Sequence, residues 1–237
     1  MVRAVSKATQ LTLSDCDIPW QGVDDSIRSS RPEGFGLPFI RSRIEGRTPS
    51  LLADDPSLVA ASVADASQVQ SRAAVATILR EAAHGPEVLF IRRAEHPRDP
   101  WSGHMAFPGG REDPGDSDLL ATALRETREE VSVDLTQHAR LLGRLDDIPA
   151  IARGRRTGMT IAPFVFELSS HVRLVPNYEV AEALWAPLLP LMRGDFLSTI
   201  PYELEGRRLD LPAHDYQGRI VWGLTFKMLD GLFTLLR

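Results

Sequence analysis

From residue 71 onward, apolar residues gather into short dense runs separated by polar stretches that carry proline and glycine. AAVATILRE (73–81) and EVLFIRR (87–93) are rich in β-formers, and His84-Gly85-Pro86 between them is a turn signal, so the pair predicts a β-hairpin. The following RAEHPRDPWSGHMAFPGGREDPGDSD reads as a loop, and helical spacing then covers 117–131. RLLGRLDDIPAI (140–151) and MTIAPFVFEL (159–168) predict further strands, and VAEALWAPLLPLM (180–192) a short strand running into a helix. A closing helix is expected over 220–236, with Val221, Leu224, Met228, Leu232 and Leu235 on one face. Strands, helix, strands, helix is the order of an α/β or α+β sandwich.

The first 70 residues lack this patterning. Gly, Pro, Ser and charge dominate 20–56, which predicts irregular chain with one short helix at 38–47. A second helix is expected at 55–70, capped by Asp54 or Asp55, with Pro56 in its first turn. The chain therefore divides into an N-terminal extension, 1–70, and a main domain, 71–237.

The helix at 117–131 raises a chemical question. On a wheel of about 100° per residue, Leu120, Leu124, Thr127 and Val131 form a core-facing stripe, and Glu126, Glu129 and Glu130 share the far side. Like charges at these spacings cost a helix a few tenths of a kcal/mol per pair, roughly. A solvated outer face, part-neutralised by Arg125 and Arg128, is one account. The preceding Pro108-Gly109-Gly110 favours another, because glycine lets a backbone approach a ligand closely. A glycine loop feeding an acidic helix suits a divalent cation holding a polyphosphate. Its hard oxygen ligands favour Mg²⁺ or Mn²⁺ over Zn²⁺. The six histidines are scattered and form no competing cluster.

Composition narrows the partners. With 43% hydrophobic residues the chain can build a real core, and a net charge of −5 excludes a basic nucleic-acid footprint. No apolar run approaches the roughly 18–20 residues that span a bilayer. A single cysteine, Cys16, excludes an internal disulfide and fits a cytoplasmic setting.

GGREDPGDSDLLATALRETREEVSV resembles the box of the Nudix hydrolase superfamily, G-x5-E-x7-R-E-U-x-E-E-x-G-U with U apolar. Gly110, Arg125-Glu126, Glu129-Glu130 and Val133 match. The interval from Gly110 to Arg125 is one residue longer than the pattern, Asp116 and Asp118 flank the place of the isolated glutamate, Thr127 stands at an apolar position, and Ser132 replaces the late glycine. The longer spacer is similar to the coenzyme A pyrophosphatase branch. So is the upstream Leu89-Phe90-Ile91-Arg92-Arg93-Ala94, Arg98, Gly103, Phe107-Pro108-Gly109-Gly110, although its Arg98 to Gly103 interval is one residue longer than the branch pattern. Tyr178-Glu179-Val180 with Glu182-Ala183-Leu184-Trp185, and Val221-Trp222-Gly223-Leu224-Thr225, resemble later segments of the same group.

The resemblance implies a Nudix-type sandwich, a mixed central sheet between helices, that hydrolyses a nucleoside diphosphate linked to another group with Mg²⁺ or Mn²⁺. It implies Glu126 and Glu130 as metal ligands, Glu129 as a ligand directly or through water, Arg125 as their brace, and the Gly110 carbonyl as a further donor. The general base is a box glutamate, Glu179 or Glu182. On the substrate side stand Gly109 and one of Arg92 and Arg93, and the basic loop Arg153, Arg155 and Arg156 either grips an extra phosphate or is a solvated charge run. Trp101, Phe107, Trp185 and Trp222 either stack on a base or pack in the core. Coenzyme A or an acyl derivative is the favoured substrate. A dinucleotide, nucleotide sugar or damaged triphosphate, and a non-catalytic nucleotide-binding module, are the alternatives. A homodimer is the assembly the resemblance suggests.

Overall fold

The computed structural model describes residues 34–49, 71–97, 99, 101–152, 155–204 and 207–237. The predicted hairpin is present as β1 (Ser71–Ala82) and β2 (Gly85–Arg93), whose register closes at Ala82 opposite Gly85. Seven consecutive residues of β1, from Ala73 to Leu79, are buried, the signature of a strand covered on both faces. Ala73, Val75 and Leu79 face one core cluster, while Ala74, Ala76 and Ile78 face the other.

Two short strands, β3 (Met105–Ala106) and β4 (Gly109–Arg111), lie within the predicted loop, and α2 (Leu119–Val131) follows them. α1 (Leu37–Ile44) precedes β1 and α3 (Leu135–His138) follows α2. The run at 140–151 is two strands rather than one, β5 (Ala139–Arg144) and β6 (Ile148–Ala152). β7 (Arg155–Leu168) pairs antiparallel with both and parallel with β1, Ser71 lying opposite Met159. β8 (Val180–Pro187) pairs with β2 and runs into α4 (Leu188–Arg193), as the apolar pattern predicted. The mixed sheet is thus ordered β3-β2-β1-β7-β5, with β4, β6 and β8 attached to β1, β7 and β2.

A separate three-stranded sheet is formed by β9 (Leu197–Leu204), β10 (Arg207–Tyr216) and β11 (Arg219–Trp222). The closing helix is α5 (Gly223–Leu236), shorter than expected because Ile220, Val221 and Trp222 belong to β11. Gly223, at φ +60°, makes the change of direction. α2 and α3 cover one face of the mixed sheet and α1, α4 and α5 the other, which is the expected sandwich. No helix among the described residues is long and apolar enough to cross a membrane.

α1 is integral to this core. Ile40 and Ile44 are fully buried, and a Cβ at Gly143 would stand 2.9 Å from Ile44 Cγ2, so glycine permits the close approach of α1 to β5. Arg41 holds Glu167 through two hydrogen bonds of 3.0 and 2.6 Å. The helix expected at 55–70 lies outside the described residues.

β10 carries a buried histidine against α5. His214 is 4% exposed, its ring lies 5.1 Å from Phe226, and its Nδ1 has no hydrogen-bond partner among the described residues. Burial pushes its pKa down to about 4 from an ordinary 6.5. The folded protein therefore holds fewer protons than the unfolded chain between these values, and stability falls as pH drops through that window. The expected loss between pH 7 and pH 4 from this group is about 3 kcal/mol at most. Urea unfolding across that range should show His214→Phe losing less stability than the parent.

Candidate active site

α2 begins at Asp118, whose Oδ1 accepts from Ala121 N at 2.8 Å, and ends at Ser132. Ser132 adopts a left-handed backbone, φ 59°, and its hydroxyl donates to Val175 O at 3.0 Å. The turn that closes the helix requires this conformation, which explains why the box pattern has glycine there. The buried face is Thr122, Ala123, Thr127, Glu130 and Val131, with Leu120 and Leu124 at its margin. This corrects the wheel reading: the glutamates do not share a solvated side. Glu130 is 2% exposed and Glu126 15%, whereas Glu129 is open at 52%.

The glycine loop meets that face. Gly109, at φ +153°, lies so close to β1 that a Cβ would stand 2.3 Å from Ala74 O. Its N–H points instead at the helix and donates to Glu130 Oε2 at 2.8 Å. Gly110 is paired with Ala74 in the β1–β4 ladder, and a Cβ on it would fall 2.4 Å from Glu126 Oε1. Both glycines are thus required by close approach, one to the sheet backbone and one to a box carboxylate. Arg93, the last residue of β2, reaches toward Glu130 from the other side at 3.9 Å. Asp99, which also accepts from Trp101 N, fixes that guanidinium at 2.7 Å.

Arg125 ties the acidic residues together. Its Nε and Nη2 donate to the two oxygens of Asp116, each at 2.9 Å, its Nη1 donates to Glu126 at 2.9 Å and Glu129 at 3.3 Å, and Nη2 also reaches Arg111 O at 3.0 Å. Asp116 accepts as well from Asp113 N and Thr122 Oγ1, and the Arg125 guanidinium holds its carboxyl well below the usual carboxylate range. Of the two aspartates flanking the absent glutamate, Asp116 braces Arg125 and Asp118 caps the helix. Asp116→Ala is therefore expected to lower activity about 10- to 100-fold, as removal of an outer-shell partner does. Asp118→Ala should cost about 1 kcal/mol of stability and leave turnover intact. Steady-state rates and melting curves of the two variants separate these roles.

A further carboxylate arrives from beyond β7. Val175 N donates to Val131 O and Asn177 N to Glu130 O, both at 3.0 Å, so this segment satisfies the last carbonyls of α2. The next turn presents Glu179, exposed, its carbonyl accepting from Ala94 N at 2.7 Å. Glu126 feels the charges of Glu129 and Glu179, and Glu130 those of Glu126 and Glu179. Burial, opposed by the Gly109 N–H and by Arg93, raises the Glu130 pKa to about 8. Burial likewise raises that of Glu126, against the pull of Arg125.

Crowded, part-buried carboxylates with raised pKa values are relieved by a cation. The donors are hard oxygens, and the Gly110 cradle against Glu126 leaves no room for a side chain that would close the approach. This set fits a divalent ion of the Mg²⁺ or Mn²⁺ type. Among the described residues no three acidic, imidazole or thiol side chains are gathered tightly enough to enclose an ion. Such ions commonly keep waters and take substrate phosphates as their remaining ligands.

Other expected residues fall elsewhere. Phe107 is 1% exposed and stacks on Phe90 at 5.3 Å, so its ring packs the core and does not face a ligand. Trp101 also packs on that core, and Trp185 carries the Arg80 guanidinium 4.1 Å from its ring centre. Glu182 is clasped by Arg219 and lies opposite Arg92, away from the box glutamates, which removes it as a base. Arg155 and Arg156 start β7, opposite Ala152 and Ile151; their side chains, with Arg98 and Arg153, lie outside the described residues.

Comparison with known proteins agrees with the box. A family model described as NUDIX domain matches residues 70–197, more than half of the chain. The uncharacterized protein C14C4.10c of Schizosaccharomyces pombe is 40% identical over 110 residues, covering 45% of this chain but only 33% of that protein. The uncharacterized Nudix hydrolase NudL of Yersinia pestis is 31% identical over 141 residues, 59% of this chain and 67% of its own. The crystal structure of a NUDIX hydrolase from Alicyclobacillus acidocaldarius aligns over 71% of this chain and 93% of its own, with a TM-score of 0.46 and 21% identity.

Proposed function

The chain belongs to the Nudix hydrolase family, and from that premise we propose that it hydrolyses the pyrophosphate bond of a nucleoside diphosphate derivative with Mg²⁺ or Mn²⁺. The carrying observation is that Glu130 and Glu126, both held partly out of water, lie against Gly109 and Gly110, with Glu129 and Glu179 near enough for their charges to act on Glu126. A divalent cation bound there would offset phosphate charge and lower the pKa of a coordinated water. Glu126 and Glu130 would hold it, with Glu129 and the Gly110 carbonyl as further donors. Gly109 N–H and Arg93 orient Glu130, while Arg125, clamped on Asp116, sets the position of Glu126. Glu129 and Glu179, the two exposed carboxylates, are the groups open to take a proton from the attacking water.

The finer reading is coenzyme A or an acyl-coenzyme A as substrate. Its support is the longer spacer before Arg125 and the Arg92-Arg93-Ala94 to Phe107-Pro108-Gly109-Gly110 run. A cytoplasmic setting, from the single cysteine, and a homodimer accompany this reading.

The test is a panel of coenzyme A, acetyl-coenzyme A, ADP-ribose, NADH, a diadenosine polyphosphate and 8-oxo-dGTP, each with Mg²⁺, with Mn²⁺ and with chelator. Release of a phosphopantetheine product, abolished by chelator, is expected. Cleavage of another member alone would discard the coenzyme A reading and keep the chemistry. Metal-dependent turnover of none of them would count against a pyrophosphatase and in favour of a binding module.

A further inference from the structure

At the C-terminal end of β2, on the sheet face opposite α2, lies a cavity of about 480 Å³. Arg92, His104, Glu182, Gln217, Arg219 and Trp222 line it. Its size is within the range of small-molecule sites. One wall is aromatic: the His104 ring sits 4.8 Å from Trp222, which is in turn 5.7 Å from Tyr202. Burial lowers the His104 pKa, which favours the neutral ring at neutral pH. The wall is held in place where Thr225, in the first turn of α5, donates to Met105 O at 2.9 Å.

The other wall carries Arg92 and Arg219 around Glu182. Arg219 donates to Glu182 through Nη2 at 2.5 Å and Nε at 3.2 Å, and through Nη1 to Gln217 O at 2.7 Å. Glu182 is therefore already partnered. Arg92 reaches it only at 3.6 Å, beyond hydrogen-bond range, with 43% of its side chain exposed. With Glu182 held by Arg219, the Arg92 guanidinium is left loosely paired beside the rings, while Glu95, which a Cβ on Gly103 would meet at 2.4 Å, adds a carboxylate to the same rim. The β10–β11 turn that closes the cavity puts Gln217 at φ 56° and Gly218 at φ 78°. A primed turn usually takes Asn or Asp at the first of these positions. Glutamine there accepts a backbone that non-glycine residues seldom adopt, and it stands at the cavity lining.

We propose that this cavity recognises the nucleotide half of the substrate, its base stacking on Trp222 and His104 and a phosphate pairing with Arg92. The proposal rests on the hydrolase reading above for the identity of the ligand as substrate. Arg92 and Arg93 are neighbours whose side chains leave β2 on opposite faces, one to this cavity and one to Glu130. Recognition and bond cleavage would then divide at the end of a single strand. Base stacking tolerates different bases, and a guanidinium matches a phosphate through paired donors.

The test uses the full chain with Arg92→Gln and Trp222→Leu, each checked for an unchanged circular dichroism spectrum. Calorimetric titration without metal, using AMP, adenosine 3′,5′-bisphosphate and ribose 5-phosphate, reads the cavity directly. Binding of at least one nucleotide is expected, about tenfold tighter than ribose 5-phosphate and about tenfold weaker in each variant. With the cleaved panel member, KM should rise by about the same factor while kcat stays near the parent value, since uniform binding is what is lost. Nucleotide affinity unchanged in both variants overturns the cavity assignment even if hydrolysis is intact. Cavity-dependent nucleotide binding with no turnover of any diphosphate sinks the hydrolase reading and leaves the cavity a nucleotide site. Weakened binding with an unchanged KM also overturns the proposal, because the nucleotide would then be an effector and not the substrate.

Discussion

Glu130→Gln is expected to reduce metal-dependent hydrolysis by about a thousandfold while leaving the metal-free protein as stable as before, or more so. Most buried acidic residues give the opposite result on stability, because their charge is paired. Glu130 is 2% exposed, its one short contact is the Gly109 N–H at 2.8 Å, and Arg93 stands off at 3.9 Å. Burial outweighs both, which is why its pKa rises to about 8. A glutamine oxygen can still accept from Gly109, so the fold keeps its hydrogen bond and no longer bears the cost of ionising a buried carboxyl. What disappears is the anionic ligand. Thermal melts with and without Mg²⁺ should show the parent stabilised by the ion and the variant indifferent to it. A metal-free melting point several degrees below that of the parent, with turnover retained, would mean that Glu130 is a structural acid and no ligand.

The second large effect separates two adjacent glycines. Gly109→Ala should cost about 4 kcal/mol or more, enough to threaten folding. Its Cβ would lie 2.3 Å from Ala74 O and 2.6 Å from Val75 Cα, backbone atoms of the central strand that cannot retreat. Gly110→Ala meets a different obstacle, the Glu126 carboxylate at 2.4 Å, which is the far end of a flexible side chain. That carboxylate can swing aside, so the fold should survive. Activity should drop about a hundredfold, the usual effect of displacing a reacting group by about an ångström. Soluble yield and urea midpoints report the first variant, kcat/KM the second. Equal loss of stability in both would mean that the loop senses volume alone.

These expectations mix what the sequence discloses with what it hides. The hairpin, α2 and the spaced Arg125-Glu126 and Glu129-Glu130 pairs were legible because each is set by neighbours a few residues away. The phase of α2 was not. Leu120 and Leu124 weigh most on a wheel, but the small Ala123 and the buried Thr127 are what allow the helix to settle on the sheet, and that rotation carries Glu130 inside. Asp116 and Asp118 could not be told apart by spacing, since one bonds across a loop and the other within its own helix turn. Glu179 was nameable only by resemblance; what delivers it is backbone bonding from Val175 and Asn177 to α2, a contact over more than forty residues. In the second sheet, Pro201 and Pro212 interrupt the strand signal, and the charged residues of β10 blur its alternation. The strand β11 hid in a helical pattern because Val221 happens to stand one helical turn from Leu224 and two from Met228.

The parallel pairing of β1 with β7 also sets a timetable for synthesis. β1 ends at Ala82 and β7 at Leu168. At about 5–20 residues per second, the ribosome releases the partner roughly 4–17 seconds after β1. During that interval the nascent chain can zip β1 to β2, a local event of microseconds, roughly, but the other edge of a strand destined for burial from Ala73 to Leu79 stays open. An unpaired hydrophobic edge is the template on which chains aggregate. Refolding of the full chain should accordingly slow and lose yield as protein concentration rises, and a holding chaperone should help most before residue 168 has emerged.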